Sequence, residues 1–167
     1  YLLPAISWAV QNGERVAVST NTINLQDQLF AKDLPDLQRV LPVPFRVAVL
    51  KGRTNYLCKT RLAAFRRRDD LSTTEVRVLA KILAWLPSTL TGDVGELALM
   101  GDEMGVWSKV CADQDVCRPD VCGDGCFYWR ARTLAEAAHV VVVNHALFLS
   151  DLGVDNRLLP DYDHVII

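Results

Sequence analysis

Three cysteines stand close together late in the chain, in the run Cys117-Arg-Pro-Asp-Val-Cys-Gly-Asp-Gly-Cys126. The spacing is C-x4-C-x3-C, so one short segment carries three thiols. Pro119, Gly123 and Gly125 predict turns that would point the three sulfurs at a common centre. Clustered thiols of this kind indicate metal binding, and a tetrahedral or cubane site would still need one more ligand.

Cys58 is the predicted fourth ligand, because it ends the glycine-containing run Lys51-Gly-Arg-Thr-Asn-Tyr-Leu-Cys58. Structural zinc favours cysteine pairs about two to four residues apart, whereas iron–sulfur clusters commonly use a close group of cysteines with one remote partner. The spacing favours a cluster and leaves zinc open. Cys111 has no turn residues beside it and is predicted to be a buried core thiol, although its use in place of one member of the triplet stays an alternative.

The number of cysteines and the start of the sequence indicate that these thiols are in a reducing compartment. The chain has 167 residues, 50% of them hydrophobic, and can bury one core together with a small metal-bound appendage. Five cysteines are an odd number, and the start at Tyr1 lacks the pattern of a signal peptide, so a disulfide scaffold is the weaker interpretation. No apolar run approaches the ~18 residues that a membrane span needs. We therefore expect a cytoplasmic protein without a membrane partner.

Charge is unevenly distributed along the chain, although the formal net charge is only -2. Residues 51–68 hold seven basic side chains and no acidic one, whereas residues 93–124 hold eight acidic and two basic ones. A basic segment with aromatic neighbours such as Tyr56 and Tyr128 offers charge for a phosphate backbone and rings for base stacking. It favours an anionic partner, and the alternatives are a solvated basic face and aromatic rings that belong to the core.

Hydrophobic patterning predicts an α/β fold. Helix 2–12 and strands 15–20 and 46–50 form a parallel βα pattern, which resumes with strands 139–144 and 164–167. The predicted domains are therefore a parallel-sheet domain made of residues 1–51 and 131–167, interrupted by an inserted and mainly helical domain, 52–130. Within the insert, residues 88–110 predict irregular structure apart from one helical turn at 96–100.

Polar side chains follow two of the predicted strands. Ser19 to Thr22 with Gln26 come after one strand, and Asn144-His145 come after another, at the ends where parallel sheets bind ligands. Their hydroxyls and amides could donate to phosphate oxygens or simply cap helices. The sequence contains no G-x4-G-K-[ST] phosphate-binding loop. Asp102-Glu103 lies in a predicted irregular stretch, so we do not interpret this pair as the acidic box of an ATP-binding site.

Four segments resemble the DinG/XPD group of superfamily 2 helicases. Val18 to Leu29 resembles motif Ia of that group. The run from Lys51 to Cys58, the run Cys126-Phe-Tyr and the run from Val143 to Leu147 resemble the lead-in, exit and downstream segments of its iron–sulfur domain. The bacterial DinG-like branch fits better than the eukaryotic one. The gap of three residues before Cys126 is shorter than in many related sequences, which leaves the ligand set open.

The resemblance implies a partial RecA-like P-loop helicase lobe with a [4Fe-4S] cluster on Cys58, Cys117, Cys122 and Cys126. The whole protein would be a monomeric ATP-dependent DNA helicase of 5' to 3' polarity, acting in repair or replication on single-stranded DNA or on DNA with a single-stranded tail. ATP and Mg²⁺ would bind to motifs outside residues 1–167, so this stretch alone should be inactive. The alternatives are a zinc-containing nucleic-acid-binding module and part of an iron–sulfur nuclease–helicase fusion.

The DNA contacts expected from the resemblance and from the charge pattern come from both predicted domains. They are Thr20, Asn21, Thr22, Gln26, Lys51, Arg53, Tyr56, Arg61, Tyr128, Asn144 and His145.

Overall fold

The computed structural model describes residues 1–122, 125–154 and 158–167. The turn predicted at Gly123 lies outside these residues. The chain divides into two compact units, which we call the sheet unit (Tyr1–Lys51 with Ala131–Ile167) and the cysteine unit (Gly52–Arg130).

The described residues form α-helices and short parallel strands. The α-helices are α1 (Leu2–Asn12), α2 (Ile23–Gln28), α3 (Leu34–Val40), α4 (Lys59–Phe65), α5 (Thr73–Trp85), α6 (Asp102–Val110), α7 (Pro119–Cys122), α8 (Phe127–Glu136) and α9 (His145–Leu152). The strands are β1 (Val16–Thr20), β2 (Val47–Val49), β3 (Val140–Asn144) and β4 (His164–Ile166). A π-helical turn, Leu29–Asp33, joins α2 to α3. None of the described helices is long and apolar enough to cross a lipid bilayer.

The sheet unit confirms the predicted α/β class. Its four strands lie in the order β2-β3-β1-β4, and the paired strands are all parallel. The central strands β1 and β3 are rich in buried valine, as expected for a parallel sheet covered on its faces. Thr20 lies opposite Asn144 in the register of these two strands, so the polar residues that follow them meet at one edge.

Local signals explain where the elements of the sheet unit begin and end. Helix α1 stops at Gly13, whose backbone is left-handed (φ 67°) and whose N–H donates to the Ala9 carbonyl. Helix α2 starts after Thr22, whose hydroxyl accepts a hydrogen bond from the Leu25 N–H at 3.1 Å. Both signals were visible in the sequence, and both predicted boundaries are confirmed.

The cysteine unit is made of short helices. Helix α5 begins with a capping box, in which the Ser72 N–H donates to the Glu75 carboxylate at 2.7 Å and the Glu75 N–H donates to the Ser72 hydroxyl. Helix α4 packs on α6, and so does α5.

The expectation of irregular structure in 88–110 apart from one helical turn at 96–100 is wrong, because α6 occupies 102–110. The short helical turn that precedes α6 is a 3-10 turn at Val94–Glu96. Gly101, with a φ of 53°, reverses the chain just before α6. Val106, Trp107 and Val110 then form its buried face. Glycines around and within this short helix hid its apolar periodicity. Glu103 lies in its first turn, 2.7 Å from the Lys81 amine of α5.

Candidate metal centre and basic surroundings

The sulfur atoms of Cys117, Cys122 and Cys126 all lie within 4.8 Å of one another. Helix α7 produces this arrangement, because its single turn places Cys122 next to the loop that contains Cys117. The Cys117 N–H donates to the Asp113 carbonyl at 2.8 Å, and the Cys122 N–H donates to the Arg118 carbonyl at 2.9 Å. These local bonds orient the first two thiols, and Cys126 stands just before α8.

Cys58 lies beside these three cysteines, although its sulfur does not belong to the group within 4.8 Å of one another. Its side chain is buried, and it lines a small cavity together with Cys122 and Cys126. Its N–H donates to the Val110 carbonyl at 2.9 Å, which fixes the start of α4 against the end of α6. Four sulfur donors around one position suit zinc or an iron–sulfur cluster and do not suit a hard cation such as Mg²⁺. The donor set therefore fits the expected cofactor, and the assignment of the four ligands stays a prediction.

Cys111 has different surroundings. It is buried, and its thiol donates to the Ser108 carbonyl at 3.6 Å, with the Arg61 guanidinium 4.0 Å from the sulfur. Among the described residues it is not part of the group of three sulfurs. Burial raises the pKa of its thiol. These contacts are those of a packed core thiol.

Two of the candidate ligands, Cys117 and Cys122, have thiols whose pKa lies above the ordinary value. Burial raises the pKa of Cys117 to about 12, with a further contribution from the neighbouring Cys58 thiol. The pKa of Cys122 is also raised, first by burial and then by the proximity of Cys126. Metal binding at this position would therefore displace protons and offset the mutual repulsion of the thiolates.

The Cys117 carbonyl accepts two side-chain hydrogen bonds. The Arg53 guanidinium donates to it at 3.0 Å, and the Trp129 indole N–H donates at 3.3 Å. The Arg53 guanidinium also lies 4.5 Å from the centre of the Tyr128 ring, which packs edge-on against the Tyr56 ring at 5.8 Å. Both tyrosines are buried, at 3% and 5% exposure. Base stacking on them would require the rings to leave this packing, and their role in DNA binding stays a prediction.

Several other basic residues of 51–68 are also engaged within their own unit. Arg61 donates to the carbonyls of Cys111 at 2.8 Å and Ser108 at 3.0 Å. Arg68 forms ion pairs with Asp70 and Glu75.

Four cations of 51–68, Lys59, Arg66, Arg67 and the ion-paired Arg68, are exposed. In the sheet unit, Lys51 is 5% exposed and lies 2.9 Å from the Asp27 carboxylate. The predicted DNA contacts of Lys51, Arg53 and Arg61 thus coincide with structural contacts, whereas Arg66 and Arg67 face solvent.

The polar residues at the edge of the sheet are largely engaged with one another or with the backbone. The Ser19 hydroxyl and the His145 Nδ1 are 2.6 Å apart, and the Asn144 side chain caps α9 by accepting from the Leu147 N–H at 2.8 Å. The Thr20 hydroxyl contacts the Thr22 and Val143 carbonyls at 3.2 and 3.3 Å. These contacts bring the two predicted groups together at one edge, where Asn21 and Thr22 remain exposed.

Gln26 is fully buried and connects the sheet to α2. Its side-chain amide donates to the Leu50 carbonyl at 3.2 Å and to the Val142 carbonyl at 3.0 Å. In this conformation the side chain is not available to a phosphate oxygen. Binding of DNA by Gln26 stays a prediction, and the observed contacts show a residue that connects helix and sheet.

Two residues near the cysteines were missed by sequence reasoning. Gly92 has a φ of 69°, and a Cβ placed on it would lie 2.2 Å from the Phe127 ring, which directly follows Cys126. Lys59 lines the cavity beside Cys58, with its amine 4.7 Å from the centre of the same ring. The position of Lys59 next to a predicted ligand was a usable signal, whereas nothing in the sequence singled out Gly92.

No family model matches the chain. The chain is 35% identical over 171 residues to the 3'-5' exonuclease DinG of Bacillus subtilis (strain 168), covering 100% of this chain and 18% of that protein. It is 35% identical over 176 residues to the ATP-dependent DNA helicase YoaA of Escherichia coli (strain K12), covering 99% of this chain and 27% of the relative. The ATP-dependent helicase DinG of Mycobacterium tuberculosis (strain ATCC 25618 / H37Rv) is 35% identical over 189 residues, which cover 100% of this chain and 28% of the relative. The chain thus spans less than a third of these relatives, and the predicted resemblance is confirmed.

Proposed function

We propose that this chain belongs to an ATP-dependent DNA helicase of 5' to 3' polarity. The chain is similar over its own whole length to DinG and YoaA proteins, and it is a DinG-like helicase segment. The observation that carries the proposal is the alignment of 99–100% of the chain with relatives named ATP-dependent helicases. ATP and Mg²⁺ would act in the full-length protein, which we place in the cytoplasm as a monomer that unwinds DNA during repair or replication.

The proposed cofactor of this segment is a [4Fe-4S] cluster held by Cys58, Cys117, Cys122 and Cys126. The proposal is supported by the three close sulfurs, by the cavity that Cys122 and Cys126 share with Cys58 and by the resemblance of the Lys51 to Cys58 run. When bound, the cluster would join the start of α4 covalently to the 117–126 loop. The helices of the cysteine unit are short, and metal binding would supply part of the free energy of folding. If protein prepared without air contains stoichiometric zinc in place of iron, the site is a zinc site and the cluster proposal is wrong.

The proposed partner is single-stranded DNA, and the phosphate contacts are proposed for the solvent-facing cations. Arg66 and Arg67 lie just beyond the end of α4, next to the exposed small residues Ala63 and Ala64. Small side chains leave room for a phosphate backbone to approach the cations closely. Contacts of this kind are independent of sequence and depend strongly on salt.

The DNA-binding proposal is tested by the salt dependence of single-strand affinity. Replacing Arg66 and Arg67 together by Gln should reduce the slope of log affinity against log salt by about 1.4, since each phosphate contact to a single strand contributes ~0.7. The matched control is Arg68→Gln, which removes one charge from the same segment but from a residue that is ion-paired with Asp70. An unchanged slope in the double variant, or an equal loss in the control, would show that this face does not bind the backbone.

The helicase proposal is tested on the full-length protein with duplexes that carry either a 5' or a 3' single-stranded tail. We expect ATP-dependent unwinding of the 5'-tailed duplex, and no ATP hydrolysis by residues 1–167 alone, because the chain has no phosphate-loop sequence. Unwinding of only the 3'-tailed duplex would contradict the polarity. DNA-stimulated ATP turnover by the isolated chain would contradict the assignment of its motifs.

A second function is favoured by the name of the Bacillus subtilis relative, which is a 3'-5' exonuclease. The full-length protein would then digest single strands from the 3' end, and this chain would act as a DNA-binding segment of a nuclease–helicase. A strand labelled at its 5' end separates the two functions. Progressive shortening with Mg²⁺ and without ATP supports the nuclease, whereas intact strands released only with ATP support the helicase.

A further inference from the structure

Lys59 is the first residue of α4 and directly follows Cys58. Its side chain lines the cavity that also contains Cys58, Cys122 and Cys126. A Cβ placed on Gly125 would lie 3.8 Å from the Lys59 amine, so the amine reaches the segment that leads into Cys126. The charged end of Lys59 is therefore close to both parts of the chain that carry candidate ligands.

An aromatic ring holds the Lys59 amine at this position. The amine lies 4.7 Å from the centre of the Phe127 ring, within the range of a cation–π contact. Phe127 is buried, and its ring contacts the backbone of Gly92 so closely that a Cβ there would overlap it. Close packing thus holds the Phe127 ring in place, and the Lys59 amine that contacts the ring lies near the cavity.

Two arginines near the cysteines, Arg53 and Arg61, contact backbone carbonyls instead of a ring alone. Arg53 donates to the Cys117 carbonyl, and Arg61 donates to the Cys111 and Ser108 carbonyls. Lys59 contacts a ring face, which satisfies none of its three N–H donors. Its charge is consequently available to the contents of the cavity.

We infer that Lys59 is a positioning residue for the metal centre, where its ammonium group stabilises the negative charge of the thiolate-bound cluster. The inference rests on the proposed [4Fe-4S] cofactor. A cluster bound by four thiolates is anionic, and one-electron reduction by an external mediator adds one more negative charge without breaking a bond. A nearby cation stabilises the reduced form more than the oxidised form, which raises the reduction potential.

The test is an anaerobic redox titration of the cluster-loaded chain, followed by visible absorption, without DNA or ATP. In Lys59→Gln we expect the ratio of reduced to oxidised cluster, at the midpoint potential of the unchanged protein, to fall about tenfold, equivalent to ~59 mV for one electron. Lys59→Arg keeps the charge and should stay within about twofold of the unchanged protein. Arg67→Gln removes a charge about two helical turns away and should leave the ratio unchanged.

A ratio in Lys59→Gln equal to that of the unchanged protein would overturn the inference, and so would an equal fall in Arg67→Gln. Iron content and circular dichroism cover the case in which Lys59→Gln does not load. A folded but iron-poor Gln variant beside an iron-replete Arg variant supports the charge effect, whereas iron loss in both variants contradicts it. An unchanged chain that binds zinc and no iron would instead refute the proposed cofactor, and is recognised before any variant is compared.

Discussion

The two units of this chain position their polar side chains in different ways. In the sheet unit, parallel strands bring Thr20 and Asn144 side by side, and Gln26 donates to two backbone carbonyls of the same sheet. In the cysteine unit, side-chain hydrogen bonds position the backbone, since Arg53 and Trp129 both donate to the Cys117 carbonyl. Backbone pairing between parallel strands thus positions most of the polar groups of the first unit, whereas those of the second unit depend on side-chain contacts and on the proposed metal.

The largest expected effect comes from removing a proposed metal ligand. Cys117→Ser should abolish iron binding and the brown colour of protein purified without air, and should increase amide hydrogen exchange across 59–116. Strands β1 and β3 should keep their protection, because their hydrogen bonds are made within the sheet.

Cys111→Ser is the control, since this thiol contacts Ser108 and Arg61 away from the three close sulfurs. It should keep its iron and lose only a small packing contribution. Iron loss in Cys111→Ser together with iron retention in Cys122→Ser would establish the other ligand set. Equal loosening of both units in Cys117→Ser would contradict the comparison.

The fold of the sheet unit could be predicted from the sequence because its signals are local. The apolar run Val16-Ala-Val18 marked β1, and four consecutive valines marked β3. Asn12-Gly13 marked the end of α1, and Thr22 marked the start of α2. The edge of the sheet could be predicted because register follows from parallel pairing. What could not be predicted there is that Gln26 turns inward, since a glutamine after a strand looks the same whether it binds backbone carbonyls or phosphate.

The cysteine unit was less predictable for a related reason. The thiol cluster and the capping box of α5 have short-range signatures, whereas helix α6 has only nine residues, follows a glycine-rich stretch and contains Gly105. The sequence did not indicate the different roles of the arginines, because Arg53, for example, contacts a carbonyl that is 64 residues away in sequence. Such contacts depend on how the segments pack, and sequence spacing does not reveal it.

The next largest effect is expected at Gly92. Alanine there would combine a left-handed φ of 69° with a Cβ only 2.2 Å from the Phe127 ring, so the ring or the backbone must move. We expect Gly92→Ala to destabilise the cysteine unit by about 3 kcal/mol and to reduce the fraction of protein that retains iron, since Phe127 follows Cys126.

Gly101→Ala is the matched control for Gly92→Ala. Gly101 also has a positive φ, of 53°, but no described atom lies within 4 Å of a Cβ placed on it. Backbone strain alone should cost about 1 kcal/mol and leave iron retention unchanged. Urea unfolding followed by tryptophan fluorescence measures both variants, and equal losses would show that the contact with Phe127 is unimportant.

In the sheet unit, the corresponding change is Gln26→Leu. It removes the donor to the Leu50 and Val142 carbonyls at a fully buried position, and we expect a loss of about 2 kcal/mol in the free energy of unfolding. The control is Gln38→Leu, an exposed residue with one long hydrogen bond of 3.5 Å, which should change stability by less than about 0.5 kcal/mol. If the two variants unfold alike, the buried amide does not support the sheet.

The smallest expected effect is the pH dependence of the contact between α5 and α6. The Lys109 amine, 2.8 Å away, and the Ser72 N–H hold the pKa of Glu75 at about 2, below its ordinary value of 4.5. The folded unit therefore binds this proton less readily than the unfolded chain does. The stabilisation is fully present above pH 4.5 and is lost as the pH falls from 4.5 towards 2.

Glu75→Gln should accordingly reduce stability near pH 6 and flatten the decline on acidification. Urea midpoints followed by tryptophan fluorescence measure this, because Trp85 and Trp107 lie in α5 and α6 and their rings are 6.5 Å apart. The control is Asp36→Asn in the sheet unit, whose exposed ion pair with Arg39 should contribute little. A Gln variant that declines with acid as steeply as the unchanged protein would show that other carboxylates govern the acid sensitivity of the cysteine unit. A flattened profile would show that the Glu75 carboxylate joins its two helices electrostatically, independently of the metal centre.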